Sequence, residues 1–268
     1  MSDVSNQLAR TLGEFKAYFL SSIGKKQTLG AVGAVLVMFL AGHMLGNLQL
    51  LNPDLVAQQA SYNDYCKFLT GMKPMIWFVE AALVAILLIH VMLACVLKFG
   101  NRASRGAKRY AVVRHAGEVT CAAYTMFASG VVVFVFLLQH LRLFKFGNCY
   151  LYQSVSGEII RDMWLTTVQT FASPGWTVAY VVAVLVVGAH LIHAIPSLFR
   201  TFGLVHARWT VLFNLFGVLA AAAIMGGFAV TAIGSCVLVN RPEGKALIQK
   251  SLEAQAQLAA RQMEGVRK

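Results

Sequence analysis

Five stretches of the chain are almost wholly apolar, and short segments that hold most of the charge separate them. They cover residues 29–51, 75–97, 119–143, 176–199 and 209–238. About 20 apolar residues suffice for a helix to cross the hydrocarbon core of a bilayer, so the pattern predicts five membrane-spanning helices. Residues 8–19 read differently. Leu8, Leu12, Phe15 and Phe19 recur at helical spacing among polar residues, which predicts an amphipathic helix lying along the membrane surface or against a partner. The first apolar run is not a cleaved leader: Asp3 and Glu14 precede it, it is too long, and no A-x-A site closes it. After residue 239, Asn240, Pro242 and Glu243 form a helix start with Asn as N-cap. Leu247, Ile248, Leu252, Leu258, Ala259 and Met263 then give a loose apolar face. The expected organisation is an N-terminal amphipathic segment (1–28), a five-helix membrane domain (29–238) and a C-terminal surface helix or tail (239–268).

Composition strengthens this reading. Of 268 residues, 58% are hydrophobic and 13% charged, against about 25% charged in soluble domains. The net charge of +12 would suit a nucleic-acid partner, but its placement points to a membrane protein instead. Twelve Lys and Arg lie in the N-terminal segment and in the gaps after the second and fourth runs, and five (Lys67, Lys73, Arg142, Lys145 and Arg161) lie in or at the edge of the other two gaps. The positive-inside rule therefore puts the N-terminus in the cytoplasm, and five spans put the C-terminus outside. Six more basic residues follow residue 240, a mild conflict with that side. The five cysteines form no CxxC or CxxCH, which removes zinc ribbons, thioredoxin-like motifs and c-type haem attachment. Cys66 and Cys149 fall in outer gaps and are the candidate pair for a disulfide. Cys95 and Cys121 should be reduced.

Five of the seven histidines (43, 90, 140, 190 and 193) lie inside the runs. Ionisable residues at membrane depth are costly and mark function. At about 1.5 Å of rise per residue, His90 and His190 lie about 12 and 15 Å from the cytoplasmic ends of their runs. His43 and His140 lie about 12 and 9 Å from the outer ends. Two levels result, each with one imidazole from two different helices, and two stacked bis-histidine haems would suit such a set. Small residues beside the histidines (Gly42 and Gly46 around His43, Gly188 before His190) could leave room for porphyrin faces, although small residues are common at any membrane helix interface. Depth alone leaves His190 and His193 as alternatives. His115 and His206 stand at cytoplasmic ends beside arginines, and His115 could bond a haem propionate.

Four stretches carry a resemblance: S-S-I-G-K-K (21–26), H-M-L-G-N-L-Q-L (43–50), Q-H-L-R-L-F-K-F-G (139–147) and H-L-I-H-A-I-P-S-L-F-R-T-F-G-L (190–204). Over roughly residues 18–238 the chain resembles the cytochrome b membrane-anchor subunit of succinate dehydrogenase and fumarate reductase, in its single-chain, five-helix, di-haem bacterial form. The resemblance implies an all-α integral membrane protein whose five-helix bundle surrounds two stacked haems b. His43 and His140 would hold the outer haem, and His90 and His190 the inner. It favours His190 over His193 by its distance from Gly203. It also implies a bacterial cytoplasmic membrane, a flavoprotein partner with covalent FAD and an iron–sulfur partner on the basic cytoplasmic face. Electrons would pass between flavin, iron–sulfur clusters, the two haems and a membrane quinone, expected to be menaquinone. The dicarboxylate chemistry would belong to the partner.

Some di-haem relatives carry a glutamate two residues before the fourth-helix ligand. Gly188 stands there in this chain, so a proton path by that route is not expected. Relatives of this type place a carboxylate near the outer haem, and Glu80 and Asp64 are the candidates for exchanging protons with a quinol. The rival is an inner quinone site served by Glu118, His115 or His206. Two other classes stand beside this reading: the cytochrome b anchor of a hydrogenase or formate dehydrogenase, and a transporter that uses membrane histidines. The two-level pairing and the lack of inverted repeats weigh against the transporter.

Overall fold

The structure, a computed structural model, describes residues 2–104, 121–204, 206 and 208–266. Side chains are described for 4–104, 125–204, 206, 208–258 and 260. His115, Glu118 and the Cys121 side chain therefore lie outside the described residues. The described chain is helical apart from one small hairpin. Five segments have the length and apolarity to cross a membrane: Ser22–Leu51, Met75–Ala103, Thr125–Lys145, Pro174–Thr201 and Thr210–Val239. Their helices are α2 (Ser22–Asn47), α4 (Met75–Ala103), α5 (Cys121–His140, which starts before its span), α7 (Pro174–Thr201) and α8 (Thr210–Val239). The first begins seven residues before the apolar run does, because Gly24, Lys25, Lys26 and Gln27 continue the helix beyond the apolar stretch.

Four helices and one hairpin lie outside the spans. Helix α1 (Ser2–Leu20) precedes them. Helix α3 (Leu55–Gly71) fills the gap after the first span, and its N-cap Asp54 accepts from the Val56 and Ala57 amides at 3.0 and 3.1 Å. Between the third and fourth spans stand an antiparallel hairpin, β1 (Leu151–Gln153) with β2 (Ile159–Arg161), and helix α6 (Met163–Ala172). Helix α9 (Pro242–Val266) follows the last span. Proline at its first position suits a helix start, where the missing N–H costs nothing. Asn240 does other work: its side-chain amide donates to the carbonyls of Ala172 and Cys236, at 3.1 and 2.9 Å.

The chain divides into two compact units. One holds Met1–Leu40, Glu80–Ala128 and His190–Ala221. Its helices meet where Pro196 of α7 fits against Gly217 of α8, at which a Cβ would stand 2.6 Å from the proline ring. The other unit holds Ala41–Val79, Ser129–Ala189 and Ala222–Lys268. In it α3, the hairpin, α6 and α9 build a module around Leu50, Tyr62, Trp164, Leu165, Val168 and Val239, all buried. Leu247, Ile248 and Leu252 of α9 pack against that core, and α9 also touches β1, α3 and α6. The C-terminal segment is thus a structural part of the module and not a free tail. Cys66, Cys95, Cys149 and Cys236 are free thiols, so no Cys66–Cys149 bridge forms.

Polar groups hold the module together. Asp162, 1% exposed, caps α6 through the Leu165 amide at 2.8 Å. It also accepts from Asn63 at 2.8 Å and Gln59 at 2.9 Å, both on α3. The Trp164 indole donates to Gln58 at 2.6 Å, and Gln58 in turn donates to the carbonyls of Leu50 and Asn52. Buried polar groups are tolerated when bonded in this way. Burial pushes the Asp162 carboxyl above its ordinary value, with its hydrogen bonds opposing. Burial also pushes the Cys66 thiol up to about 12.

Candidate functional site

In the unit containing the module, His43 lies one turn before the end of α2 and His140 is the last residue of α5. Their rings meet with centroids 5.7 Å apart and planes at 89°. The backbone widens into a π turn at Leu141–Lys145 directly after His140, a local geometry common at functional sites. Aromatic rings surround the pair. Phe228 stands 5.7 Å from His43. Phe144, Phe136 and Tyr180 stand 4.9, 6.1 and 6.3 Å from His140. The Tyr180 hydroxyl is buried without a hydrogen-bond partner among the described residues.

Two polar braces hold these helices. Asn47 donates to the His43 carbonyl at 2.7 Å, and its amide nitrogen lies 3.5 Å from His43 Nε2. Its carbonyl accepts from Tyr62 of α3 at 3.0 Å, so the module steadies the turn that carries His43. Arg161, at the end of β2, donates to the carbonyls of Phe144, Lys145 and Asn148 at 3.0–3.3 Å. A cation at a helix C-terminus satisfies carbonyls that have no partner further along the helix and opposes the helix dipole. Arg161 thereby fixes the end of the segment that carries His140.

In the other unit, His90 stands in the middle of α4 and His190 in the middle of α7, within electrostatic range of each other. Each also meets a backbone: His90 that of Leu29, and His190 that of Met126. The His90 Nδ1 is buried without a hydrogen-bond partner among the described residues. Gly33 of α2 faces His90, and a Cβ there would stand 3.5 Å from the ring. His193 also interacts with His190 and with Arg200. A basic cleft of about 330 Å³ opens between Ile23, Lys26, Gln27, Ser197, Arg200 and Thr201, where Arg200 donates to Asn214 at 2.7 Å.

The three glycines read as porphyrin space differ from one another. Nothing approaches within 4 Å of a Cβ at Gly42. Gly46 receives Tyr65, whose hydroxyl would lie 2.5 Å from a Cβ, and Gly188 receives the Met225 sulfur at the same distance. The latter two give room to side chains of this chain. Asp64 is exposed on α3, within electrostatic range of Tyr152. Glu80 is half-buried on α4 and belongs to the unit of His90. His206 is exposed, its Nδ1 facing the Arg208 amide at 3.5 Å.

The first histidine pair suits a single metal ion. With metal–nitrogen bonds of about 2 Å, two imidazoles on opposite sides of one iron have centroids about 6 Å apart. The second pair lies within electrostatic range, and each of its imidazoles meets a backbone group, as ligating imidazoles usually do through their other nitrogen. Among the described residues no group of three or more His, Cys, Asp or Glu could hold a metal ion by itself. Sequence reasoning missed the Tyr62–Asn47 brace, the Arg161 cap and Gly33. Only Arg161, the one basic residue between 146 and 199, carried a local signal. No protein-family model, curated protein or solved structure matches the chain.

Proposed function

We propose that the chain is the di-haem cytochrome b membrane anchor of a succinate:quinone oxidoreductase. His43 with His140 would hold one haem and His90 with His190 the other. The contact of the His43 and His140 rings across nearly a hundred residues, at a spacing suited to one iron, is the observation that carries this reading. Haem b bound there would supply a one-electron carrier inside hydrocarbon. The chain itself contributes the imidazoles, the aromatic wall that excludes water, and the braces that set ring orientation. A flavoprotein and an iron–sulfur subunit on the basic cytoplasmic side complete the enzyme in this proposal. Glu80 and Asp64 remain the candidates for proton exchange with the quinone. A reduced-minus-oxidised spectrum of the purified chain tests the proposal. Two b-type haems per chain are expected, with one lost in His43→Ala and the other in His90→Ala. A spectrum without haem would overturn the reading, and a haem lost in His193→Ala but kept in His190→Ala would reassign the α7 ligand.

A further inference from the structure

Helix α1 carries Val4, Leu8, Leu12, Phe15 and Phe19. At 100° per residue these positions fall within an arc of about 80°. All five are exposed, between 41% and 71%, and the rings of Phe15 and Phe19 lie 4.7 Å apart. The opposite face is polar, with Arg10 paired to Glu14 at 3.1 Å. Lys16 borders the stripe.

One residue, Ser21, separates α1 from α2, and the joint between them is fixed. The Ser21 hydroxyl donates to the Tyr18 carbonyl at 2.6 Å and accepts from the Gly24 amide at 3.0 Å. The Tyr18 hydroxyl donates to Gln27. A Cβ at position 24 would overlap the Tyr18 carbonyl, so the turn requires glycine. In a straight helix a residue does not touch the carbonyl six positions earlier, so α1 departs from the line of the first span. Exposed Ile23, on the first turn of α2, follows the stripe across the joint, and Lys25 and Lys26 stand beside it.

We infer that α1 is a lipid-surface helix whose Val4–Leu8–Leu12–Phe15–Phe19 stripe beds into an anionic leaflet around the first span. A helix held at an angle to a span by a one-residue joint starts at the level where headgroups meet acyl chains, and that is where an amphipathic helix settles. Lys16, Lys25 and Lys26 match anionic headgroups. The inference does not rest on the haem reading.

Trypsin cleavage after Arg10 and Lys16 of the full chain in nanodiscs tests it, because both faces of a nanodisc are accessible. Discs of phosphatidylcholine would be compared with discs in which about a third of the lipid is phosphatidylglycerol. Cleavage is expected to be about tenfold slower on the anionic discs, and Leu12→Glu with Phe15→Glu should abolish the difference. Hydrogen exchange of the α1 amides should show the same lipid-dependent protection in the parent chain and lose it in the variant. Equal cleavage and equal exchange on both discs would overturn the inference. Protection that appears only when partner subunits are added would overturn it too, and would assign the stripe to a protein.

Discussion

The spans and the loop module are stabilised in different surroundings. Phe78 in the second span is 74% exposed and Val211 in the fifth is 76% exposed, whereas Trp164, Leu165 and Val168 of the module are fully buried. In the spans an apolar side chain facing outward meets lipid and costs nothing, so the interior need not hold the bulky residues. The module lies outside the apolar spans, and in it apolar side chains are buried together and buried polar groups are paired. The histidine pair of the same unit stands on helices that the module braces, through Asn47 and Arg161. The other pair lies in the other unit, where its imidazoles meet the backbones of Leu29 and Met126.

The largest expected effect follows from that contrast. Trp164→Ala removes a fully buried indole and takes from the Gln58 carbonyl oxygen the indole donor it accepts from, which should cost about 4 kcal/mol. Phe78→Ala exchanges one lipid-facing surface for another and should change stability by less than about 0.5 kcal/mol. Thermal unfolding of both variants in the same nanodiscs would measure this. Equal losses would mean that the spans, too, rely on a packed core at Phe78.

A smaller effect concerns pH. The Asp162 carboxyl is raised above its ordinary value of 3.8, chiefly by desolvation, so the folded module binds its proton more tightly than the unfolded chain does. That contribution is fully present below the ordinary value and is lost as pH rises through the folded one. Asp162→Asn should remove the step. It should also cost about 1–3 kcal/mol, because one oxygen must replace the two that accept from Leu165, Asn63 and Gln59. Melting temperatures taken from acid to neutral pH, wild type minus variant, should show the wild type losing relative stability as pH rises. A flat difference would mean that Asp162 titrates alike in both states.

Tyr180→Phe should have the smallest effect. Its hydroxyl is buried with no bond to any described residue, so its removal should be neutral or stabilise by up to about 1 kcal/mol. A clear loss in the same melts would show that the hydroxyl has a partner in the assembled protein.

The spans were legible because hydropathy over 20 residues is a local property, and the amphipathic stripe of α1 for the same reason. The module was not. The buried face of α3 is Gln58, Gln59, Tyr62 and Asn63, which carries no hydrophobic period. Its partners, Asp162 and Trp164, lie about a hundred residues away. Asp54 before Leu55 and Asp162 before Met163 were helix-start signals of the kind that marked α9. They stood before segments too short or too polar to draw notice. Spacing and depth put His43 and His140 on different helices at one level, but ring contact depends on rotamers, which sequence does not fix. The glycines beside the histidines were ambiguous for a related reason. Sequence cannot tell a glycine that leaves space, such as Gly42, from one that a tyrosine or methionine fills, such as Gly46 and Gly188.

Helix α9 has a consequence for biogenesis. A chain is made from its N-terminus, and the last segment of the unit that holds His90 and His190 ends at Ala221. The module beside His43 and His140 still lacks Leu247, Ile248 and Leu252 at that stage. Its core closes only after a further stretch has been translated and has folded back onto α3 and α6. A ribosome stalled between the end of α8 and the middle of α9 would therefore display one unit with all its segments and the other with its core open.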